Sequence, residues 1–432
     1  MSLERLLLLS CRSPFLDDSK IYSPMASLYL KSFVNREVPN VQVTLGDDDY
    51  KLTPEYFEPY DAIGISIMTP QRTEAEKILN IVKTYFPNKV IIAGGPHVKH
   101  YISEVVKQPW DWIVPLDGER PMVGIIKGQT DNFPHKYVRT GIKFEGDFPR
   151  RIAMDDITNP RILVNVMSKE DIENAPRPDR TSPNAKNVIK QYHYTLGGKE
   201  STTMMSARGC PEQCSFCEDA MTPVKRSSLT NIALELDDIK SLGYEGVYLF
   251  DDLFALSVKN SGEVGRLIAE RGMIYRCNAQ ARYFTKWGED MAKMLAETGC
   301  YEIAFGAESG SQKILDNIRK RTTVQSNYQT IEWANKHGII VKAFILLGLP
   351  GETRETLKDT EKLVSYLMTN RPGNDFGAYV FYPYKGTQLR DSLDRNEDVG
   401  LTMLVDEGLG AYGQSGGNTE SGVLRTTELT NE

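Results

Sequence analysis

Three cysteines fall within eight residues, in the stretch Arg208-Gly209-Cys210-Pro211-Glu212-Gln213-Cys214-Ser215-Phe216-Cys217. The spacing is Cys-x3-Cys-x2-Cys, which supplies three thiolates and not four. An iron–sulfur cube held by three thiolates keeps one iron free for an exogenous ligand, whereas an electron-transfer cluster is usually closed by a fourth cysteine. A structural zinc site would want another Cys or His close by, and none follows. Three reduced core cysteines are the bland alternative, but a Gly-Cys-Pro-Glu-Gln-Cys loop is polar and turn-rich. Cys210, Cys214 and Cys217 are therefore expected to ligate a 4Fe–4S cluster.

Further polar residues close a series of apolar runs downstream. Asp251 and Asp252 follow Val247-Tyr248-Leu249-Phe250. Two adjacent carboxylates repel, so a cation or hydrogen-bond donors must compensate them, unless they only cap a solvated helix. Arg276, Asn278, Gln280 and Arg282 alternate with Cys277, Ala279 and Ala281, as on a strand with one polar face. Glu308 follows Gly306 and Ala307, small residues that permit close approach of a ligand. Glu308 and Ser309 could equally cap the next helix. Gly348 opens a Gly-Leu-Pro-Gly-Glu turn whose Glu352 reads as a helix N-terminal carboxylate. Tyr382 and Tyr384 could line a pocket or close a barrel edge.

The elements that must hold these residues have a strand–helix rhythm. Residues 1–130 suggest strands at 4–9, 41–45, 61–67, 89–93 and 111–115, with helices at about 24–36, 71–85, 98–107 and 119–127. That is an α/β pattern for a flavodoxin-like (Rossmann-like) doubly wound parallel sheet, whose ligands bind at the carboxyl ends of the strands. Residues 131–199 lose the rhythm and read as a wrapping linker with little regular structure. From 200 to 390 it returns, with strands at 202–208, 246–251, 274–281, 302–308, 340–347 and 376–382. Six strand–helix units predict a partial (β/α)6 TIM-type barrel, with the cysteine loop after its first strand, where active-site loops sit. Residues 391–432 are expected to be a cap or a flexible tail.

Composition narrows the class. The 432 residues suffice for two or three domains, and 40% hydrophobic with 25% charged residues describe an ordinary globular chain. A net charge of −7 without a basic run argues against nucleic acid as a partner. Six cysteines, three of them in one loop, do not suit a disulfide framework and point to a reducing, intracellular setting. The apolar run Leu6–Leu9 is too short for a signal segment, and no run reaches a membrane span. A cytoplasmic protein is expected.

The cysteine spacing, with Phe216 just before the last Cys, resembles the radical S-adenosylmethionine (SAM) superfamily. The order of the polar strand ends behind it extends the likeness over about residues 200–390. The resemblance implies that the open iron chelates the amino and carboxylate groups of SAM. It implies adenine pairing by the backbone beside Phe216, and contact of Asp251 or Asp252 with the α-ammonium. Arg282 would reach the SAM carboxylate, Glu308 the ribose hydroxyls, and Gly348 would lie near adenine. Simple packing of Phe216, and neutralisation of Asp251, Asp252 or Glu308 by the arginines, stay open beside these roles.

The N-terminal half resembles the cobalamin-binding domain that precedes this core in one branch of the superfamily. The matching pieces are Ile65-Ser66-Ile67-Met68-Thr69, Ala93-Gly94-Gly95-Pro96-His97 and Asp117-Gly118-Glu119. Ser66, Met68, Gly94 and Gly95 are the expected contacts. His97 is not expected on cobalt, since the Asp-x-His-x-x-Gly pattern of histidine ligation is absent. The implied enzyme cleaves SAM reductively to a 5′-deoxyadenosyl radical and transfers a methyl group to an unactivated carbon. It implies a small-molecule or peptide substrate and an electron donor such as flavodoxin or ferredoxin. Rivals are a radical SAM enzyme without cobalamin (a methylthiotransferase, a cyclase or another radical rearrangement) and a non-catalytic cobalamin or cluster sensor. Cys11 alone stands where a methylthiotransferase would carry three further cysteines.

Overall fold

The computed structural model describes residues 3–12, 18–46, 50–145, 148–403, 424–426 and 429. The chain divides into two units, Met1–Tyr194 and Thr195–Glu432. Among the described residues, no helix is long and apolar enough to cross a membrane.

In the first unit, β1 (Arg5–Ser10), β2 (Gln42–Gly46), β3 (Ala62–Ser66), β4 (Val90–Gly94) and β5 (Trp112–Val114) form one parallel sheet. Its order is β2-β1-β3-β4-β5, the doubly wound order of flavodoxin-like folds. Leu6, Leu7, Leu8 and Leu9 are each at most 2% exposed, as a strand covered on both faces requires. The helix Arg72–Tyr85 buries Ala75, Ile78, Leu79 and Val82, a single stripe at helical spacing. The single helix expected over 98–107 is two short pieces, Pro96–His100 and Ile102–Val105.

Residues 131–199 correct the expectation of a linker with little regular structure. They hold a long hairpin, β6 (Lys136–Glu145) with β7 (Phe148–Thr158), and two short helices, Lys169–Glu173 and Pro183–Ile189. A register shift at Arg139/Thr140 breaks the period-two pattern by which hairpin strands are read in a sequence. Beyond the hairpin, Ile113 donates to Arg161 and Leu163 donates to Ile113, so the chain covers the free edge of β5. Arg161 anchors this cover through the carbonyls of Gln108 and Trp110, each at 2.9 Å.

The second unit begins with β8 (Thr195–Leu196), β9 (Lys199–Met204), β10 (Ala207–Arg208) and β11 (Lys225–Arg226). Then come β12 (Gly246–Leu249), β13 (Ile274–Ala279), β14 (Cys300–Glu308), β15 (Ile340–Leu347) and β16 (Asp375–Val380). The sheet order is β16-β15-β14-β13-β12-β9-β8, with six parallel strands curled into a half-barrel and β8 antiparallel at one edge. On one face Val247, Leu249, Cys277, Ile303, Phe305 and Val341 are at most 1% exposed. The other face carries charge. Arg276 lies 3.1 Å from Glu302 and 4.4 Å over the Tyr248 ring, and Lys342 lies 2.7 Å from Asp375.

The polar strand face expected to run from Arg276 to Arg282 stops short. β13 ends at Ala279, Gln280 caps the next helix, and Arg282 belongs to the helix Ala281–Trp287. The helical burial of Ala281, Tyr283 and Phe284 takes over where strand alternation still fits the sequence. Near the C-terminus, β17 (Leu401–Met403) pairs with β18 (Leu424–Thr426). Residues 404–423, on which much of the expected cap or tail falls, lie outside the described residues.

Candidate active site

The cysteine loop springs from a pinched base. β10 and β11 pair antiparallel, Ala207 with Arg226 and Arg208 with Lys225, and the loop closes between them. Inside it, Cys210 donates to Thr222 Oγ1 at 2.8 Å, Thr222 donates to the Cys210 carbonyl at 2.9 Å, and Met221 donates to the Glu212 carbonyl at 2.7 Å. Gly209 has φ +98°, and a Cβ there would lie 2.3 Å from the Pro223 carbonyl oxygen, so only glycine fits. Ser215 ties the loop outward, donating to Ile318 at 3.0 Å and accepting from Leu389 at 2.9 Å.

Cys210, Cys214 and Cys217 carry free thiols. Burial pushes Cys210 up to about 11 and Cys217 up to about 12, and it raises Cys214. The thiols also act on one another, Cys214 on Cys210 and both on Cys217. Buried, mutually repelling thiols become thiolates only against positive charge, which bound iron provides. Among the described residues, no three His, Cys, Asp or Glu side chains are grouped so as to hold a single metal ion. In a cube each thiolate binds its own iron, so three thiols in one loop fit a 4Fe–4S cluster.

The two aspartates after β12 have different surroundings. Asp251 is buried, accepts the Ser206 N–H at 2.6 Å and the Ser206 hydroxyl at 2.5 Å, and burial lifts its carboxyl to about 6. Asp252 is exposed and accepts the Gly209 N–H at 2.7 Å, at the root of the cysteine loop. Arg282 is directed at Glu212, with Nη1 3.2 and 3.3 Å from its two carboxylate oxygens. Tyr283 donates to the same carboxylate at 2.6 Å.

At the end of β14 the pairing slips between Gly306 and Glu308, a bulge that re-aims the Glu308 side chain. Glu308 is 5% exposed and accepts from Lys320 Nζ at 2.6 Å. Gly348 donates to Glu352 at 2.5 Å, and a Cβ on Gly348 would meet nothing within 4 Å. Open space beside that strand end suits a ligand. Glu352 is fully buried and precedes a helix capped by Thr353. Phe216 meets Phe381 edge-on at 6.4 Å and has Lys320 Nζ 5.7 Å from its ring centre.

Sequence reasoning missed Glu212, Lys320 and Ser206. Glu212 sits inside the cysteine loop, and that position was the available signal. Lys320 stands in Arg319-Lys320-Arg321, which reads as a solvated basic turn.

The first unit presents its own strand ends. Ser66 pairs in register with Gly94, and Met68 is 54% exposed beside them. A Cβ on Gly94 would come no nearer than 3.5 Å to its neighbours, so the fold leaves room there that a side chain would fill. Gly95 is needed by the turn itself: φ is +95°, and a Cβ would lie 2.7 Å from the Ile67 nitrogen. Small residues and an exposed thioether thus stand at the carboxyl ends of these strands, where ligands of doubly wound sheets bind. His97 is buried, donates its backbone N–H to Ile67 at 3.0 Å, and stacks on Tyr101 at 4.8 Å.

Residues 204–364 match the family model described as the Radical SAM superfamily. An uncharacterised methyltransferase of Pyrococcus horikoshii is 25% identical over 88% of this chain and 80% of its own. The anaerobic magnesium-protoporphyrin IX monomethyl ester cyclase of Cereibacter sphaeroides is 27% identical over 70% of this chain, which spans about half (49%) of the cyclase. Among solved structures, the radical SAM methyltransferase TsrM of Kitasatospora setae, with cobalamin and a [4Fe-4S] cluster bound, superposes with a TM-score of 0.71. It is 15% identical, and the match covers 94% of this chain and 78% of TsrM. Residues 204–364 thus match the Radical SAM superfamily, a domain that implies a 4Fe–4S cluster and SAM, in a chain with the fold of solved cobalamin-dependent radical SAM enzymes.

Proposed function

We propose that the chain is a cobalamin-dependent radical SAM methyltransferase, with Cys210, Cys214 and Cys217 holding the cluster and the crest Ser66, Met68, Gly94 and Gly95 meeting cobalamin. The observation that supports the reading is the presence in one chain of an anchored three-thiol loop and, in the other unit, of glycine-bearing strand ends on a flavodoxin-like sheet. When bound, the cluster and cobalamin would supply the electron that cleaves SAM and the methyl group that is transferred. The chain's own residues bind and orient. Asp252 steadies the loop root, Gly348 leaves space for adenine beside β15, and Glu308 offers a carboxylate to ribose. Arg282 is shared with Glu212, so it reaches SAM carboxylate only from that pair.

The likeness to the magnesium-protoporphyrin ester cyclase favours a second reading, a radical rearrangement without net methylation. Anaerobic reconstitution with iron, sulfide and hydroxocobalamin separates the two. A cobalamin spectrum that survives desalting, followed by formation of both S-adenosylhomocysteine and 5′-deoxyadenosine from SAM, supports methyl transfer. Failure to retain cobalamin, with SAM cleavage intact, sinks it in favour of the second.

A further inference from the structure

Five described residues other than glycine have a positive φ, and three of them meet at Lys320: Glu308 (58°), which holds its ammonium, and Arg319 (53°) and Arg321 (55°) on either side of it, while Met221 (61°) lies in the cysteine loop. Met221 closes the cysteine loop, Glu308 ends β14, and the two arginines flank Lys320. Arg319 is partly explained by the end of the helix Gln312–Asn317, where it donates to Asp316 at 3.0 Å. Glu308 sits at the bulge that ends β14, and Arg321 has no such local reason. Left-handed residues of this kind persist where the surrounding structure imposes them, and they cluster at functional sites.

What the backbone delivers there is one buried cation. Lys320 is 7% exposed, its Nζ lies 2.6 Å from Glu308 Oε1, and its carbonyl is held by Gln280 Nε2 at 3.1 Å. The pair packs directly over Gly306, where a Cβ would sit 2.0 Å from Glu308 Oε1 and 2.7 Å from Lys320 Nζ. The ammonium also lies 5.7 Å from the ring of Phe216, the residue just before Cys217. Burial works against its charge, but Glu308 and the neighbouring Cys214 and Cys217 together outweigh that and its pKa is raised. It acts on Cys214 and Cys217, whereas Glu308, Glu212, Asp219 and Asp252 face the thiols with negative charge, Glu308 acting on Cys214 as Lys320 does but with the opposite sign.

We propose that Lys320 is a positioning residue whose buried, Glu308-held ammonium sets the reduction potential of the cluster on Cys210, Cys214 and Cys217. An electron added to an anionic, poorly solvated site is stabilised by a fixed cation beside it, and net charge near a cluster is one of the levers on its potential. This rests on the cluster reading above and adds to it a residue that no cysteine pattern reveals.

The test is an EPR-monitored reductive titration of the full chain, reconstituted anaerobically without SAM, after iron analysis. Lys320→Met removes the cation and bares Glu308. At the wild-type midpoint its reduced-to-oxidised ratio should fall at least tenfold, which is about 59 mV for one electron. Glu308→Gln bares the cation instead, and the ratio should rise. Lys320→Arg should stay near wild type. A purely structural pair would not shift the potential in opposite directions. Full iron with ratios within twofold of wild type in both variants overturns the proposal, as does a shift of the same sign. If Lys320→Met takes up no iron, Glu308→Gln decides alone: a rise supports the proposal and no change overturns it. Absence of iron from wild type overturns the cluster reading itself, and the iron analysis reveals it before any titration.

Discussion

Glu212, buried inside the cysteine loop, accepts the Tyr283 hydroxyl at 2.6 Å and draws in Arg282 at 3.2 Å. This clamp fastens the loop to the helix Ala281–Trp287. Glu212→Ala should cost about 1–3 kcal/mol, because it leaves the buried Tyr283 hydroxyl and the half-buried Arg282 without their acceptor, and Tyr283→Phe about 1 kcal/mol. Urea unfolding of the metal-free protein measures both. Stability within 0.3 kcal/mol of wild type for Glu212→Ala would show that the clamp contributes nothing, a threshold on the order of ordinary surface substitutions.

Loss of any loop cysteine should abolish the cluster. Cys210→Ala, Cys214→Ala and Cys217→Ala are each expected to lose bound iron, while Cys11→Ala, Cys277→Ala and Cys300→Ala keep it. The second set is buried elsewhere, Cys277 in β13 and Cys300 in β14. Full iron in any loop variant would refute the ligand assignment.

Asp252 is exposed and bound to the Gly209 N–H. Asp252→Ala should keep its iron yet bind SAM more weakly by about 1–3 kcal/mol, through the lost charge-assisted contact. Equilibrium binding under anaerobic conditions reads this. Equal affinity would confine Asp252 to holding the loop.

Asp251 gives a pH signature. Burial lifts its carboxyl to about 6 from an ordinary 3.8, so folding favours the protonated form. That contribution is full below about pH 4 and is lost as pH rises through about 6, on the order of 3 kcal/mol in all. The stability of Asp251→Asn minus that of wild type should therefore climb between about pH 4 and 6 and level off above. A flat difference across that window would contradict the burial effect.

Cobalamin should depend on space at the crest and not on histidine. Gly94→Val places bulk where the fold leaves room, and retained cobalamin is expected to drop at least tenfold with folding intact. His97→Ala should leave the cobalt spectrum unchanged, since its ring is packed on Tyr101. A changed spectrum in His97→Ala would reopen histidine ligation.

Where hydrophobic period alone defines an element, the chain was legible. Leu6–Leu9, Ile63–Ile65 and the six barrel strands lie within a few residues of their expected positions. Arg282 was misplaced because strand alternation and the first turn of a helix share the same short pattern of small and polar residues. The hairpin of β6 and β7 was hidden by its register shift. Lys320 could not be read at all. Its burial depends on a bulge at Glu308 and two left-handed residues, and none of these has a residue-type signature.

The anchors of the cysteine loop set an order of events in biogenesis. Ser215 is fixed by Ile318 and Leu389, so its last support is synthesised about 170 residues after it. At about 5–20 residues per second, that is a wait of roughly 10–30 s during which three thiols stand on a loop that has its own β10–β11 base but lacks its outer support. Iron loaded early would meet a floppy ligand set, and oxygen would meet exposed sulfur. Cluster insertion is thus expected only once residue 389 has been made and has folded back onto the loop, so that iron–sulfur delivery keeps pace with folding and not with synthesis of the cysteines.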